Sequence, residues 1–128
     1  MARVELSVEG LVDGVKIAGF PWTKSIECSN VRVFTNRITN TASYADILSG
    51  IIPSGSATVR FLLLTVDADS LIAWNDTVTT PAYPITLPAQ HLFGIFNADE
   101  TYATTGNPLL QFKANTNPTN LFLAVGLA

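Results

Sequence analysis

Short strand-like segments separated by turn residues run along most of the chain, and this pattern constrains the fold more than any other feature of the sequence. Val4, Leu6 and Val8 alternate with polar residues, as the inward and outward positions of a half-buried strand do. Residues 11–17 place an Asp-Gly pair between apolar flanks, which is typical of a tight hairpin. The pattern therefore predicts β-structure with short connections.

Later segments continue the pattern. Residues 24–35 form one long predicted strand. A bulge or turn is predicted near Ser29 and Asn30, because the apolar residues change there from even-numbered to odd-numbered positions. The most apolar stretch predicts a central strand, and the segment after it is expected to return antiparallel. The predicted strands are 58–66 (central), 70–75 (returning), 83–87 (an edge strand flanked by proline), 91–96, 109–114 and 121–125, with a polar loop at 97–108.

Residues 36–57 interrupt the strand pattern. Residues 43–46 fit a capping box, and Gly50 is placed to end a single helical turn. We expect a long excursion with at most one short helical turn. The sequence as a whole predicts an all-β fold: a β-sandwich or jelly roll of about eight antiparallel strands, as a single domain over residues 1–128.

The chain is poor in charge. Charged residues make up 13% of its 128 residues, whereas about 25% is usual in soluble domains. Because the cores of interfaces are depleted of charge, we expect partner proteins to cover part of the surface. The net charge is −3 and no basic run is present, so nucleic-acid binding is not predicted.

The sequence contains no segment that suggests export or membrane insertion. Its N-terminus lacks the apolar region and cleavage site of a signal peptide. The longest apolar run, residues 61–64, is too short to cross a bilayer. We therefore expect synthesis in the cytosol and no membrane partner.

Residue types that carry catalysis or bind metals are scarce. The chain has one cysteine, Cys28, and one histidine, His91, whereas a zinc site needs three or four such ligands. Cys28 is predicted to be a small core residue, with a surface thiol that pairs between subunits as the alternative. We predict no enzyme activity and no catalytic, cofactor-binding or metal-binding residue. Two alternatives stay open: a small hydrolase or isomerase with His91 beside a carboxylate, and calcium at the Asp67, Asp69 and Asp76 loop.

Aromatic residues are the candidate contacts with a partner. Trp22 lies in a predicted loop just after Phe20, whereas Trp74 lies in an apolar strand and is predicted to be core. Trp and Tyr are enriched at the energetic centres of protein interfaces, and they also stack on sugar rings. The candidate partner-contact residues are Phe20, Trp22, Tyr44, Tyr83 and Tyr102.

The order of segments in the second part of the chain resembles a known group of proteins. An Ile-Ile-Pro-Ser-Gly segment (51–55) precedes the apolar strand at 59–66, Leu-Ile-Ala-Trp-Asn (71–75) leads into a Thr-rich turn, and an apolar strand follows at 121–125. This order resembles the small all-β virion structural proteins of tailed phages, among them capsid decoration (cement) proteins. The resemblance covers residues 51–128 best.

The resemblance implies a jelly-roll-like subunit, often a trimer, located in the virion after synthesis in the host cytoplasm. Its partners would be the major capsid protein or other virion proteins, and it would stabilise the head lattice through subunit contacts. The alternative function is a receptor- or carbohydrate-binding module of a tail or fibre.

Overall fold

A computed structural model describes residues 1–49, 51–52, 56–74, 81–96, 100–103 and 109–128, and these residues form thirteen β-strands and no helix. The strands are β1 (Ala2–Val8), β2 (Leu11–Val12), β3 (Val15–Lys16), β4 (Trp22–Cys28), β5 (Asn30–Ile38), β6 (Ala45–Asp46), β7 (Ser56–Val66), β8 (Ser70–Trp74), β9 (Ile85–Leu87), β10 (Leu92–Ile95), β11 (Glu100–Ala103), β12 (Leu110–Ala114) and β13 (Thr119–Leu127). No helix among the described residues is long and apolar enough to span a bilayer.

Two antiparallel sheets enclose the main core. The main sheet has the order β10-β7-β13-β5, with β11 pairing the first part of β7, and the second sheet has the order β6-β12-β8-β9. The buried cluster consists of strand residues on their facing sides (Val59, Leu62, Leu64, Val66, Ile72, Leu87, Leu110, Phe112, Ala114, Leu121, Leu123, Val125 and Leu127) together with four residues outside the strands, Leu48, Ile51, Ile52 and Leu109. The predicted all-β class is confirmed, and the arrangement is that of a β-sandwich; a jelly roll is not established.

Most connections between consecutive strands cross from one sheet to the other, among them the short turns after β7 and β12. β7 lies in the main sheet and β8, three residues later, in the second; β12 lies in the second sheet and β13 in the main one. The prediction that 70–75 returns antiparallel to 58–66 is therefore wrong: β8 pairs β12 and β9, while β7 pairs β13. The two strand–turn–strand units are β-arches, and each strand of one arch pairs with a strand of the other.

The two arches are joined by Asp67 and Asn120. The backbone N–H and side-chain amide of Asn120 donate hydrogen bonds to the Asp67 carboxylate at 2.8 and 2.7 Å. The Asp67 N–H donates in return to the Asn120 carbonyl oxygen at 3.1 Å. These contacts fix the register in which the arches stack, since Leu121 lies opposite Val66 in the next pair along the strands.

This junction predicts a pH dependence of stability. The hydrogen bonds from the backbone and then the side chain of Asn120 hold the pKa of the Asp67 carboxyl below its ordinary value of 3.8. A lowered folded-state pKa contributes stability above the unfolded-state pKa and loses it as the pH falls through the folded-state pKa. We expect the urea midpoint of the wild type to fall between pH 5 and pH 3 more than that of Asp67→Asn. Asn120→Ala, which keeps the backbone donor, should lie between them; equal falls in all three proteins would contradict the assignment.

Several predicted elements differ from the observed ones in their bounds. The predicted strand 24–35 is two strands that separate at Ser29 and enter different sheets, and β5 extends to Ile38. Glu100–Ala103 is a strand, although residues 97–108 were predicted as loop. The short elements β2, β3, β6 and β11 together with this split raise the number of strands above the predicted eight.

The predicted helical turn around residues 43–50 is replaced by a tighter structure. Ala45–Asp46 is a short strand at the edge of the second sheet. Asp46 Oδ1 accepts a hydrogen bond from the Leu48 N–H at 3.0 Å, and the Leu48 carbonyl oxygen accepts from the amides of Ile51 and Ile52. Asp46 thus caps a turn two residues ahead instead of a helix begun at Ser43. Gly50 lies outside the described residues.

Three other predictions are confirmed. β7 is central, with β13 on one side and β10 and β11 on the other. β9 pairs only with β8 among the described strands, so the segment with flanking prolines is an edge strand. The Asp-Gly hairpin is formed by β2 and β3: Asp13 and Gly14 have φ values of 50° and 78°, the positive values that a two-residue turn of type I′ requires.

Candidate functional site

A two-stranded hairpin, β1 with β4, covers part of the outer face of the main sheet. Ile26 and Cys28 of β4 pack on Phe61 of β7, and Val4 and Leu6 of β1 pack against the same cluster. The alternation seen in the sequence has its physical reason here, because Arg3, Glu5 and Ser7 occupy the exposed positions between the inward-facing residues. The hairpin is thus a third layer on the sandwich.

A glycine allows this layer to approach the sheet. Gly126 of β13 lies directly opposite Phe61. An added Cβ at Gly126 would stand 2.2 Å from Phe61 Cε1 and 2.7 Å from Cys28 Sγ. The Phe61 ring therefore fills the space above Gly126, and the Cys28 end of the hairpin lies over β13.

The hairpin crosses the sheet and continues beyond it. At its other end Trp22 packs on Phe96, the residue after edge strand β10, with ring centroids 5.2 Å apart. Past Trp22 the chain forms the β2–β3 hairpin. We call residues 9–21 the arm. Its hydrogen bond from the Ile17 N–H to the Gly10 carbonyl oxygen, at 3.0 Å, closes its base.

The arm exposes apolar side chains. Val15 is 69% exposed, and four more apolar side chains of the arm are also exposed: Leu11, Val12, Ile17 and Phe20. Leu11 and Val12 are consecutive strand residues and so point to opposite faces of the hairpin. Both faces of the arm are therefore apolar, which is unusual for a hairpin surrounded by water.

A second apolar surface lies on the outer face of the main sheet beside the β1–β4 hairpin. We call it the outer strip; it consists of Val33, Leu63, Leu92, Phe122 and Ala124, with Thr35 and Thr65 among them. It forms a groove of about 190 Å³. Val33 is 81% exposed and Leu92 is 62% exposed. The β1–β4 hairpin covers the outer face only up to this strip.

The predicted aromatic contacts lie at separate places. Phe20 and Trp22 are near the base of the arm, where Phe20 is exposed and Trp22 is half-buried against Phe96. Tyr44 precedes β6 at one edge of the second sheet, with Lys113 Nζ 5.8 Å from its ring centroid. Tyr83, 89% exposed, precedes β9 at the opposite edge. Tyr102 lies on β11, and its side chain is outside the described part of the structure. Among the four candidates whose side chains the structure describes, only Phe20 and Trp22 lie near one another, because they are two residues apart in the chain.

Trp74 was predicted to be a core residue, and it packs at the border of the main core. Its side chain is half-buried and its ring centroid lies 6.2 Å from that of Phe93. Because Trp74 is on β8 and Phe93 on β10, this aromatic pair joins the two sheets.

Cys28 and His91 lie apart from one another. Cys28 is fully buried, as predicted for a small core residue; burial raises the pKa of its thiol, and the positive charge of Arg60 opposes part of that rise. Cys28 lies beside Phe61 of β7. His91 precedes Leu92, which pairs with Thr65, four residues beyond Phe61 on the same strand. At about 3.3 Å per residue, Phe61 and Thr65 are more than 10 Å apart. The geometry does not place the thiol and the imidazole in one site.

The polar groups around His91 are bound to the backbone. His91 Nδ1 lies 3.1 Å from the Ala89 carbonyl oxygen, and Asp69 Oδ1 accepts a hydrogen bond from the Ala89 N–H at 2.9 Å. Asp67 is engaged with Asn120, and Asp76 of the calcium hypothesis lies outside the described residues. Within the described part of the chain no three His, Cys, Asp or Glu side chains form a group that would hold a metal ion.

The predicted contacts include Phe20 of the arm, but they include neither the exposed aliphatic residues of the arm nor any residue of the outer strip. One signal was available. Residues 61–64 and 121–125 are apolar at both parities, and a strand that is apolar on both faces needs cover on both. The β1–β4 hairpin supplies that cover for only part of the outer face, and the uncovered part is the strip.

Comparisons with protein-family models, with curated proteins and with solved structures find no match for this chain. What the structure itself defines is an all-β sandwich with a third, two-stranded layer and a projecting apolar arm. The resemblance to phage virion proteins rests on the sequence pattern.

Proposed function

We propose that this protein is a structural subunit of a virion, a capsid decoration (cement) protein that binds copies of itself and the head lattice. The observation that carries the assembly role is the apolar surface left exposed at two places, the arm and the outer strip. Surfaces of this kind on a soluble domain mark sites of protein contact. The virion setting is supported by the resemblance of residues 51–128 alone.

The distribution of charge supports the same role. Charged side chains are few in the chain, and three of the four in β1 and β4 (Arg3, Glu5 and Glu27) lie on the hairpin face that points away from the main sheet, while Lys24 pairs with Leu6 on the other face. The outer strip is built from aliphatic, aromatic and threonine side chains only. An interface core has this composition, while charges are found at its rim.

The test is the mass of the purified protein by light scattering over a range of concentrations, followed by co-sedimentation with tailed-phage capsid lattices. We expect a stable oligomer, with a trimer as the predicted size, that pellets with a lattice and stays in solution with a control lattice of an unrelated virus. A monomer up to millimolar concentration that pellets with no lattice would contradict the proposal.

The carbohydrate-binding alternative makes a different prediction. It requires aromatic rings along one groove, and Phe20, Trp22, Tyr44 and Tyr83 lie at three separate places. Binding of the isolated protein to a glycan array, with loss of binding in Trp22→Ala, would favour that alternative over the structural role.

A further inference from the structure

The arm is held in a direction that leads away from its own sheet. Its base continues the β1–β4 hairpin, whose last pair is Val8 with Trp22, and Trp22 is fixed on Phe96 at the β10 edge. The hydrogen bond between Ile17 and Gly10 keeps the two chains of the arm together in that direction. For the arm to cover the strip of its own subunit, it would have to fold back and break these contacts.

The outer strip has the shape to receive a two-stranded hairpin. The half of the outer face beside it is already covered by one, through the aliphatic residues Val4, Leu6 and Ile26 against Phe61 and its neighbours. The strip continues that same face across β5, β13, β7 and β10, from Val33 to Leu92. A second hairpin laid beside β1–β4 would extend the layer that this chain already makes.

We propose that the arm of one subunit docks on the outer strip of a second copy of this chain, beside that copy's own β1–β4 hairpin. The inference rests on the proposed assembly function and specifies its contact. Five exposed apolar side chains of the arm and three of the strip (Val33, Leu92 and Phe122) supply the surface for this contact, and a specific interface buries at least about 1,000 Å² in total. The strip has no charged group, and the arm has three: Glu9 at its base and Asp13 and Lys16 near its tip.

The contact joins different surfaces, so it is heterologous. A heterologous contact repeats from copy to copy and closes into a ring where the rotation permits, as in a trimer, or continues as a filament. Each copy then gives one arm and receives one. Pairing of β5 edges is the competing geometry; β5 carries Arg32 and Arg37, and charged residues on an edge strand are typical of edges protected from pairing.

The first experiment is a disulfide test between two single variants. Val15→Cys is mixed with Val33→Cys or with Leu92→Cys, which mark the two ends of the strip, and the mixture is oxidised mildly. Cys28 stays in place because it is fully buried. We expect a linked dimer in at least one mixture and little in Val33→Cys or Leu92→Cys alone. Dimers that form only between two Val15→Cys arms, or in no mixture, would overturn the inference.

The second experiment measures the oligomer directly. Val12→Asp/Val15→Asp should raise the concentration needed for half-assembly at least tenfold. Ile85→Asp is the matched control, since Ile85 is also an exposed aliphatic residue but lies on β9 of the second sheet. An oligomer that persists unchanged in the double variant would overturn arm docking while leaving the proposed function standing. If the wild-type protein is a monomer, both arm docking and the proposed assembly function are overturned.

Discussion

Replacing Phe112 with alanine is expected to lower the free energy of unfolding by about 3–5 kcal/mol. Phe112 is 1% exposed and is among the largest fully buried side chains. It extends from β12 of the second sheet into the core formed with β7 and β13. Its removal leaves a cavity between the two sheets, and each sheet is held together by its own backbone hydrogen bonds. Urea denaturation, followed by tryptophan fluorescence, measures the loss as a lower midpoint.

Phe122→Ala is the matched control for this prediction. Phe122 lies on β13 and is 45% exposed, because it points to the outer strip instead of the core. We expect a loss of about 1 kcal/mol or less in the stability of the monomer, since nearly half of the residue is already in contact with water. Equal losses in the two variants would show that the inward and outward faces of the main sheet have been assigned wrongly.

Gly126→Ala is expected to cost about 3 kcal/mol, at the upper end of the range for overpacking. The new methyl group would meet both Phe61 and Cys28, and these two side chains are themselves buried between the hairpin and the sheet. The Phe61 ring has no open side to which it can move. The β1–β4 hairpin would have to lift from the main sheet, so faster reaction of Cys28 with a thiol reagent should accompany the loss of stability.

Gly94→Ala separates this crowding from a general effect of replacing glycine in a strand. A Cβ at Gly94 would stand 2.8 Å from Phe96 Cζ, the far end of a half-buried ring. That ring can shift toward solvent, so we expect a cost of about 1 kcal/mol and no change in Cys28 reactivity. A larger effect at Gly94 than at Gly126 would contradict the account of the third layer.

The sequence predicts where strands occur far better than which strands pair. The alternation of Val4, Leu6 and Val8 and the Asp-Gly turn depend on local stereochemistry, and both elements are found as predicted. The turns at 67–69 and 115–118 are short enough for hairpins, yet each joins two strands that lie in different sheets. Alternation tells which face a side chain is on. It does not tell whether the next strand lies beside its predecessor or across the core from it.

The contact surfaces were less predictable for a related reason. An exposed valine such as Val33 has the same sequence pattern as a buried one, since both follow the strand period. Its exposure depends on how far the β1–β4 hairpin reaches across the sheet, and that reach is set by the packing of Cys28 on Phe61 at one end and of Trp22 on Phe96 at the other. Such distances between non-neighbouring segments are not encoded in any local pattern.

The stacked arches have a consequence for the folding reaction. β13 is the neighbour of both β5 and β7, and no hairpin links it to either of them. The main sheet therefore gains its centre only when segments far apart in sequence meet, from 121 − 66 = 55 residues for Leu121 with Val66 upward, at a high loop-closure cost. We infer slow folding with a late transition state in which β13 inserts between two waiting strands. Until that step, the backbone N–H and C=O groups of β5 and β7 that will pair with β13 are open to the wrong partners, and this interval is when the protein is most prone to aggregate.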